Sequence, residues 1–196
     1  MTTSSRVDFP PPTEGTVPLE VTLRRRRSVR EFAADPLTAA EIGQLLWAAQ
    51  GVTTDRGGRT APSAGALYPL ELYAVTSKRA MRYLPGGHGA EITTERDLRH
   101  DLMIAALDQE AVGQAPLLVA VVAVPERTAA KYGDRAPRYA DLEAGHAAQN
   151  LLLQAVALDL VAVPIGGFDD EAVGSILELP GGQAPRYLLA VGHPRT

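Results

Sequence analysis

The longest uninterrupted apolar stretch in the chain, residues 117–124, constrains the fold more than any other segment. It is rich in β-branched valine, so it predicts a strand that is buried on both faces. It is far too short to cross a bilayer as a helix. The other predicted strands occur singly or in one hairpin, without a regular alternation of strands and helices. This arrangement favours an α+β fold over a doubly wound parallel sheet.

Capping and periodicity signals predict the remaining elements. Thr38 and Glu41 form a capping box, which predicts a helix over Ala39–Gln50 that ends at Gly51. A short helix should carry residues 24–27. Apolar spacing predicts further helices over 95–110, 138–159 and 169–177, with a short helix or turn over 125–132. Strands are predicted over Leu70–Thr76, Val161–Ile165 and 187–191, with a hairpin over 82–92.

The length of 196 residues suits one domain with a sizeable core. Prolines at positions 10, 11, 12 and 18 predict an extended N-terminal arm over residues 1–18, followed by a single domain over residues 19–196. The first 16 residues have no apolar core and do not form a signal peptide. We therefore expect a soluble cytoplasmic protein with no membrane partner.

Composition excludes several classes of site and partner. Nineteen basic and 23 acidic residues give a net charge of −4, which argues against nucleic-acid binding. The absence of cysteine excludes disulfides, zinc–thiolate sites and cysteine nucleophiles. The histidines at 88, 100, 146 and 193 lack metal-ligand spacing, so no metal site is predicted. No G-x-G-x-x-G follows a strand, so a Rossmann dinucleotide site is not indicated.

Residues 24–30, with the sequence RRRRSVR, concentrate positive charge in one segment. Adjacent arginines repel one another, so we expect an anion nearby. The guanidinium fork matches phosphate oxygens, and Ser28 adds a hydroxyl donor. The alternative is a solvated basic helix end that binds no ligand.

Two glycine-containing segments have the composition of ligand-binding turns. Residues 57–69, GGRTAPSAGALYP, form a loop of small residues, which lets a flat or anionic ligand approach the backbone. This loop lacks the consensus of both the P-loop and the nucleophile elbow. Gly166 and Gly167 follow a predicted strand and precede a helix, so their N–H groups suit a ring nitrogen or an anion. An ordinary turn remains the alternative for each segment.

Lysine is rare in this chain, which has 17 arginines and only two lysines, Lys78 and Lys131. Only a lysine amine can lose its proton and act as a base, whereas arginine stays protonated. The string Lys131-Tyr132-Gly133 is therefore a candidate source of a titratable amine. The alternative is an ordinary surface lysine.

Taken in order, these four motifs resemble those of the nitroreductase-like FMN oxidoreductases, over about residues 19–194. The strings SAGALYP at 63–69 and LEAGHAAQN at 142–150 are similar to the SagB-type branch, the peptide azoline dehydrogenases. The resemblance implies a central, mostly antiparallel sheet flanked by helices, in an intertwined homodimer that binds FMN. It also implies a small-molecule substrate or one bound to a carrier or peptide.

The resemblance assigns roles to residues of this chain. It implies that Lys131 and Tyr132 take part in proton abstraction, as base and as relay or orienting group. The flavin phosphate would be held by Arg26, Arg27, Ser28, Arg30 and Arg195. The flavin ring would lie against Pro62, Ser63, Ala64, Gly65, Ala66, Leu67 and Gln109. Flavin N5 would face Pro164, Ile165, Gly166 and Gly167. The loop 62–67 usually comes from the partner subunit in this family.

Two alternatives stay open at the level of sequence. The first is a reductase of the same fold that takes hydride from NAD(P)H and reduces nitro compounds or quinones. The second is a non-catalytic FMN-binding protein. Many members of the family supply a further basic residue to the phosphate from a C-terminal continuation, and here we expect Arg195 to take that role alone.

Overall fold

The computed structural model describes residues 5–195, in which a seven-stranded sheet is the central element. The strands are β1 (Arg6–Asp8), β2 (Leu70–Thr76), β3 (Ala80–Leu84), β4 (Gly89–Thr94), β5 (Leu117–Ala123), β6 (Val161–Ile165) and β7 (Ala184–Gly192). Their order is β1-β4-β3-β2-β5-β7-β6, and each neighbouring pair is antiparallel. The prediction of an α+β fold with a mostly antiparallel sheet is confirmed.

Helices cover both faces of this sheet. They are α1 (Leu19–Arg25), α2 (Ala39–Gln50), α3 (Arg99–Ala105), α4 (Glu110–Gln114), α5 (Glu126–Tyr132), α6 (Ala136–Ala157) and α7 (Asp170–Ile176). The capping box at the start of α2 forms as predicted, because Thr38 Oγ1 accepts from Glu41 N–H and Glu41 Oε2 accepts from Thr38 N–H. Among the helices within residues 5–195, none combines the length and the apolar character that crossing a membrane requires.

Strand β5 is the centre of the fold and is buried along its whole length. Its odd-numbered residues, such as Val119 and Val121, pack in a core with α2 and α6. Its even-numbered residues, such as Leu118 and Val122, pack in a second core with α3, α4 and α7. The continuous apolar run thus serves two cores at once, as the alternation of side chains along a strand requires.

Three regions differ from the sequence-based expectation. The helix predicted to carry residues 24–27 is α1, which ends at Arg25, so Arg26 and Arg27 lie outside it. The predicted arm contributes β1, which pairs with β4 at the edge of the sheet, and its residues 1–4 lie outside the described residues. The prediction of a single helix over 95–110 is wrong, because the chain forms two helices there, α3 and α4, with a turn between them. Leu107 and Asp108 in that turn adopt left-handed φ angles of 59° and 57°, which no continuous α-helix tolerates.

The arginine-rich segment leaves α1 and runs in extended form along the sheet edge. Val29 N–H donates to Ala162 O of β6 at 3.1 Å, and Ala33 N–H donates to His193 O at 3.0 Å. Ser28 forms a parallel bridge with Ala162, so the segment lies directly beside β6. The edge segment, residues 26–33, therefore lies next to the residues that follow β7.

Candidate active site

The edge segment brings Ser28 and Arg30 into one cavity with Arg195. The cavity has a volume of about 360 Å³, and Val29, Glu31 and Pro194 complete its lining. Alternate residues of an extended chain point to the same side, which is why Ser28 and Arg30 act together. Arg195 approaches Glu31 at 3.8 Å, but both side chains are exposed, so this ion pair is weak. Three of the predicted phosphate ligands thus lie together.

Arg26 and Arg27 lie apart from this cavity. The Arg27 guanidinium donates to Arg24 O at 2.7 Å and to Arg26 O at 2.8 Å, and thereby satisfies carbonyls at the C-terminus of α1. Both arginines line a neighbouring cavity of about 240 Å³, together with Asp159 and apolar residues of α6. The structure therefore divides the predicted arginine cluster between two cavities.

The Gly166–Gly167 turn after β6 is held in place by Gln109. The Gln109 side-chain amide donates to Gly167 O at 2.8 Å and to Ala106 O at 2.9 Å. No heavy atom lies within 4 Å of the position that a Cβ on Gly167 would occupy, so the turn borders open space. The predicted residue Gln109 and the predicted turn are thus brought together at the corner between α3 and α4.

Pro164 and Ile165 lie in β6 itself and lead into this turn. Ile165 is buried, whereas Pro164 is half-buried. A proline is tolerated here because β6 is an edge strand.

The small-residue loop over residues 62–67 packs on the lysine–tyrosine pair of α5. A Cβ on Gly65 would lie 2.7 Å from Tyr132 Oη and 2.9 Å from Lys131 Nζ, so both groups touch the glycine directly. Gly65 and Ala66 have left-handed φ angles of 64° and 55°. Glycine adopts this conformation freely, whereas it costs Ala66 about 1 kcal/mol or more. The structure therefore joins two motifs that lie far apart in sequence.

Arg127 fixes α5 against the end of the same loop. Its guanidinium donates to Tyr68 O at 3.2 Å and forms an ion pair with Glu71 of β2. Arg127 precedes Lys131 by one helical turn, so this anchor also fixes the start of the lysine–tyrosine pair.

A buried polar network lies behind the loop, and the sequence patterns did not predict it. Arg59 donates to Gln50 Oε1 at 2.9 Å, and Gln50 donates to Glu143 Oε1 at 3.3 Å. Burial raises the pKa of Glu143, while hydrogen bonds with Ser63 and Gln50 and the charge of Arg59 oppose this shift. A glutamate between Ala140, Ala144 and Ala147 on the buried face of α6 is the signal that points to this network.

Comparison with known proteins decides the family. The model of the nitroreductase family matches residues 23–193. The chain belongs to the nitroreductase family.

The fold and the sequences of relatives agree with this assignment. A protein from Methanocaldococcus jannaschii, named as a nitroreductase, is 40% identical over 182 residues, which cover 90% of this chain and 91% of the relative. The NADH dehydrogenase of Thermus thermophilus is 32% identical over 180 residues, which cover 87% of this chain and 83% of that relative. A crystal structure from Ralstonia eutropha, also named as a nitroreductase, has a TM-score of 0.89 at 29% identity and covers 100% of this chain and 92% of that one.

These comparisons confirm the predicted nitroreductase fold and an oxidoreductase of this family. Within this single chain, however, the candidate residues form two separate groups. The loop 62–67 precedes β2, whereas Gly166 follows β6, and both β5 and β7 lie between them. Three inter-strand spacings, about 14 Å in all, separate β2 from β6, the strands that these two groups flank.

Proposed function

We propose that this nitroreductase-family protein is an FMN-dependent dehydrogenase that oxidises an azoline-type or related amino-acid-derived substrate. The observation that carries the proposal is the contact of Lys131 Nζ and Tyr132 Oη with Gly65. It brings an amine and a phenol to the loop that the resemblance assigns to the flavin ring. A base at this position is what removal of a Cα proton requires.

The residues of the chain fit FMN at both ends. Ser28, Arg30 and Arg195 would hold the phosphate through charge-assisted hydrogen bonds. The open Gly166–Gly167 turn offers backbone N–H groups, and the small side chains of loop 62–67 suit a flat ring. FMN, when bound, supplies a two-electron acceptor at its N5 atom.

We infer a homodimer, because one flavin needs both groups and a single chain holds them apart. In the dimer, loop 62–67 of one subunit would complete the site formed by the edge segment and the glycine turn of the other. Leu19 and Leu23 on α1 and Leu142 on α6 are 59%, 52% and 51% exposed. A second subunit that covers these leucines would remove apolar surface from water.

In the proposed reaction the chain's own residues handle the proton. Lys131 would take the Cα proton of the azoline, and FMN, when bound, would accept the hydride of the adjacent Cβ–H bond as the ring gains its second double bond. Tyr132 orients the amine, and its ring in turn packs edge-on against Tyr139 with centroids 4.9 Å apart. Arg127 keeps α5 against the loop, so the amine and the ring-facing backbone hold a fixed distance.

Substitution of Lys131 tests this proposal, with the other lysine as the matched control. Lys131→Ala and Lys131→Arg should retain FMN but lose oxidation of a thiazoline-containing peptide in the presence of an artificial electron acceptor, because arginine cannot serve as the base. Lys78→Arg, an exposed position in the turn after β2, should behave as wild type. Full dehydrogenase activity of Lys131→Arg would overturn the role of Lys131.

A second candidate function is a nitro or quinone reductase that takes hydride from NAD(P)H. The 32% identity with the NADH dehydrogenase of Thermus thermophilus favours it. Under anaerobic conditions, NADH or NADPH should then bleach the bound flavin, and both Lys131 variants should reduce quinones at wild-type rates. Bleaching by a thiazoline substrate, lost in both Lys131 variants, supports the dehydrogenase instead.

A further inference from the structure

Glu71 is a buried carboxylate near the start of β2 that the proposed reaction does not use directly. It is 8% exposed, and Glu143 is the only other buried acidic residue within residues 5–195. Its two oxygens have different partners. Oε2 forms an ion pair with Arg82 of β3 at 3.4 Å, and Oε1 forms an ion pair with Arg127 of α5. The first pair stays within the sheet, whereas the second links the sheet to α5.

Helix α5 has little apolar packing of its own to hold it. Of its seven residues, only Thr128 is buried. A helix of this length is not stable alone, so contacts with the rest of the chain must fix it. The helix ends at Gly133, which has a φ of 51° and no heavy atom within 4 Å of its Cβ position. The orientation of α5 therefore depends strongly on the polar contacts of its side chains.

The Arg127 guanidinium makes two of these contacts. It donates to Tyr68 O at 3.2 Å as well as to the Glu71 carboxylate. Tyr68 directly follows loop 62–67 and has a left-handed φ of 48°, which is unfavourable for a residue other than glycine. Its N–H donates to Ser63 Oγ at 2.9 Å, so this backbone is tied to the loop as well. One guanidinium thus joins α5, the end of the loop and the sheet.

We propose that Glu71 is a positioning residue that holds Lys131 against loop 62–67 through Arg127. The inference rests on the proposed function, which makes Lys131 the base. Arg127 and Lys131 are four residues apart and lie on the same face of α5, so a shift of the guanidinium moves the amine as well. The amine has little room to shift, because its Nζ atom lies 2.9 Å from the Cβ position of Gly65.

The kinetics of thiazoline oxidation by the FMN-loaded protein test the proposal. Arg127→Ala and Glu71→Gln should retain FMN, and each should lose at least about tenfold in kcat, because the base is misplaced. KM should not change, because neither residue is proposed to touch the substrate. The double variant should lose no more than Arg127→Ala alone, because both residues act through one link. Losses that multiply in the double variant would overturn the proposal.

Arg82→Ala is the matched control, because it removes the other partner of the same carboxylate. Arg82 also pairs with Glu91 of β4 at 2.7 Å, away from α5, so this variant should keep wild-type kcat. Equal losses of kcat in Arg82→Ala and Arg127→Ala would show that Glu71 only stabilises the sheet. A raised KM with unchanged kcat in Arg127→Ala would assign Arg127 to substrate binding and would also overturn the proposal. Arg127 is exposed, so its alanine variant supplies the test even if Glu71→Gln does not fold.

Hydrogen exchange of residues 126–132 gives a readout that does not depend on activity. These amides should exchange about fivefold faster in Arg127→Ala and Glu71→Gln than in the wild type or Arg82→Ala, because α5 opens more often without the ion pair. Unchanged exchange in both variants overturns the inference, whatever happens to kcat. If the wild-type protein does not oxidise thiazolines, the proposed function fails by itself, and the exchange rates still decide whether Glu71 holds α5.

Discussion

The contact between Gly65 and the lysine–tyrosine pair gives the sharpest test of the candidate active site. Gly65→Ala places a methyl group 2.7 Å from Tyr132 Oη and 2.9 Å from Lys131 Nζ. Ordinary van der Waals contact begins at 3.4 Å, so Tyr132 Oη must move by about 0.7 Å and Lys131 Nζ by about 0.5 Å. Alanine at a φ of 64° adds about 1–2 kcal/mol of backbone strain.

Gly57→Ala is a matched control for this substitution. Gly57 also has a left-handed φ, of 80°, but no heavy atom lies within 4 Å of its Cβ position. Both variants should therefore lose a similar stability, about 1–2 kcal/mol, which urea unfolding measures. Any further difference between them reports the displacement of Lys131 and Tyr132.

The two variants should differ in catalysis. Misplacement of a reacting group by 1 Å costs up to about 100-fold in rate, so we expect Gly65→Ala to lose at least about tenfold in kcat for thiazoline oxidation. Gly57→Ala should retain wild-type kcat once its stability is taken into account. Equal activity of the two variants would refute the placement of the lysine–tyrosine pair at the reacting atoms.

Three further predictions concern the cofactor, the dimer and the buried glutamate. Arg30→Ala should weaken FMN binding by about 1.5–3 kcal/mol, and the loss should be larger at low salt than at high salt. Arg24→Ala, on the exposed face of α1, should leave FMN binding unchanged. Fluorescence titration measures the affinity of both variants. Leu142→Glu introduces a charge into the inferred dimer interface, so the variant should sediment as a monomer at low concentration and lose its flavin. A monomer that still contains flavin would contradict a site shared between subunits. Because burial raises the pKa of Glu143, the folded protein binds more protons than the unfolded one between the two pKa values, and its stability falls as the pH rises through that range. Glu143→Gln should not show this fall in stability. If its urea midpoint follows the wild-type pH dependence, the fall does not come from the raised pKa of Glu143.

Local sequence patterns were sufficient to predict strand β5 and the start of helix α2. The apolar run of β5 and the capping box at Thr38 and Glu41 both appear as predicted, because burial on two faces and end-capping leave a direct mark on neighbouring residues. The turn at Leu107 and Asp108 left no such mark. Neither residue is glycine, and hydrogen bonds back to α3 close the turn, from Leu107 N–H to Ile104 O and from Asp108 N–H to Met103 O, each at 3.1 Å.

Long-range pairing explains what sequence reasoning missed in the site. Gln50 and Glu143 are 93 residues apart, and only the packing of α2 against α6 brings them together. The separation of Arg27 from Ser28 and Arg30 has a different cause. The Arg27 guanidinium donates to carbonyls at the end of α1. The sequence of the motif alone does not show which of its arginines will form such hydrogen bonds with the backbone.

The edge segment also protects the sheet from self-association. Strand β6 is an edge strand, and an uncovered edge offers unpaired N–H and C=O groups to any other strand. Residues 26–33 cover part of that edge through Val29, and Pro164 removes one donor from β6. A substitution that loosens the segment would therefore disturb the cavity lined by Ser28, Arg30 and Arg195 and expose the edge of β6 to other strands at the same time.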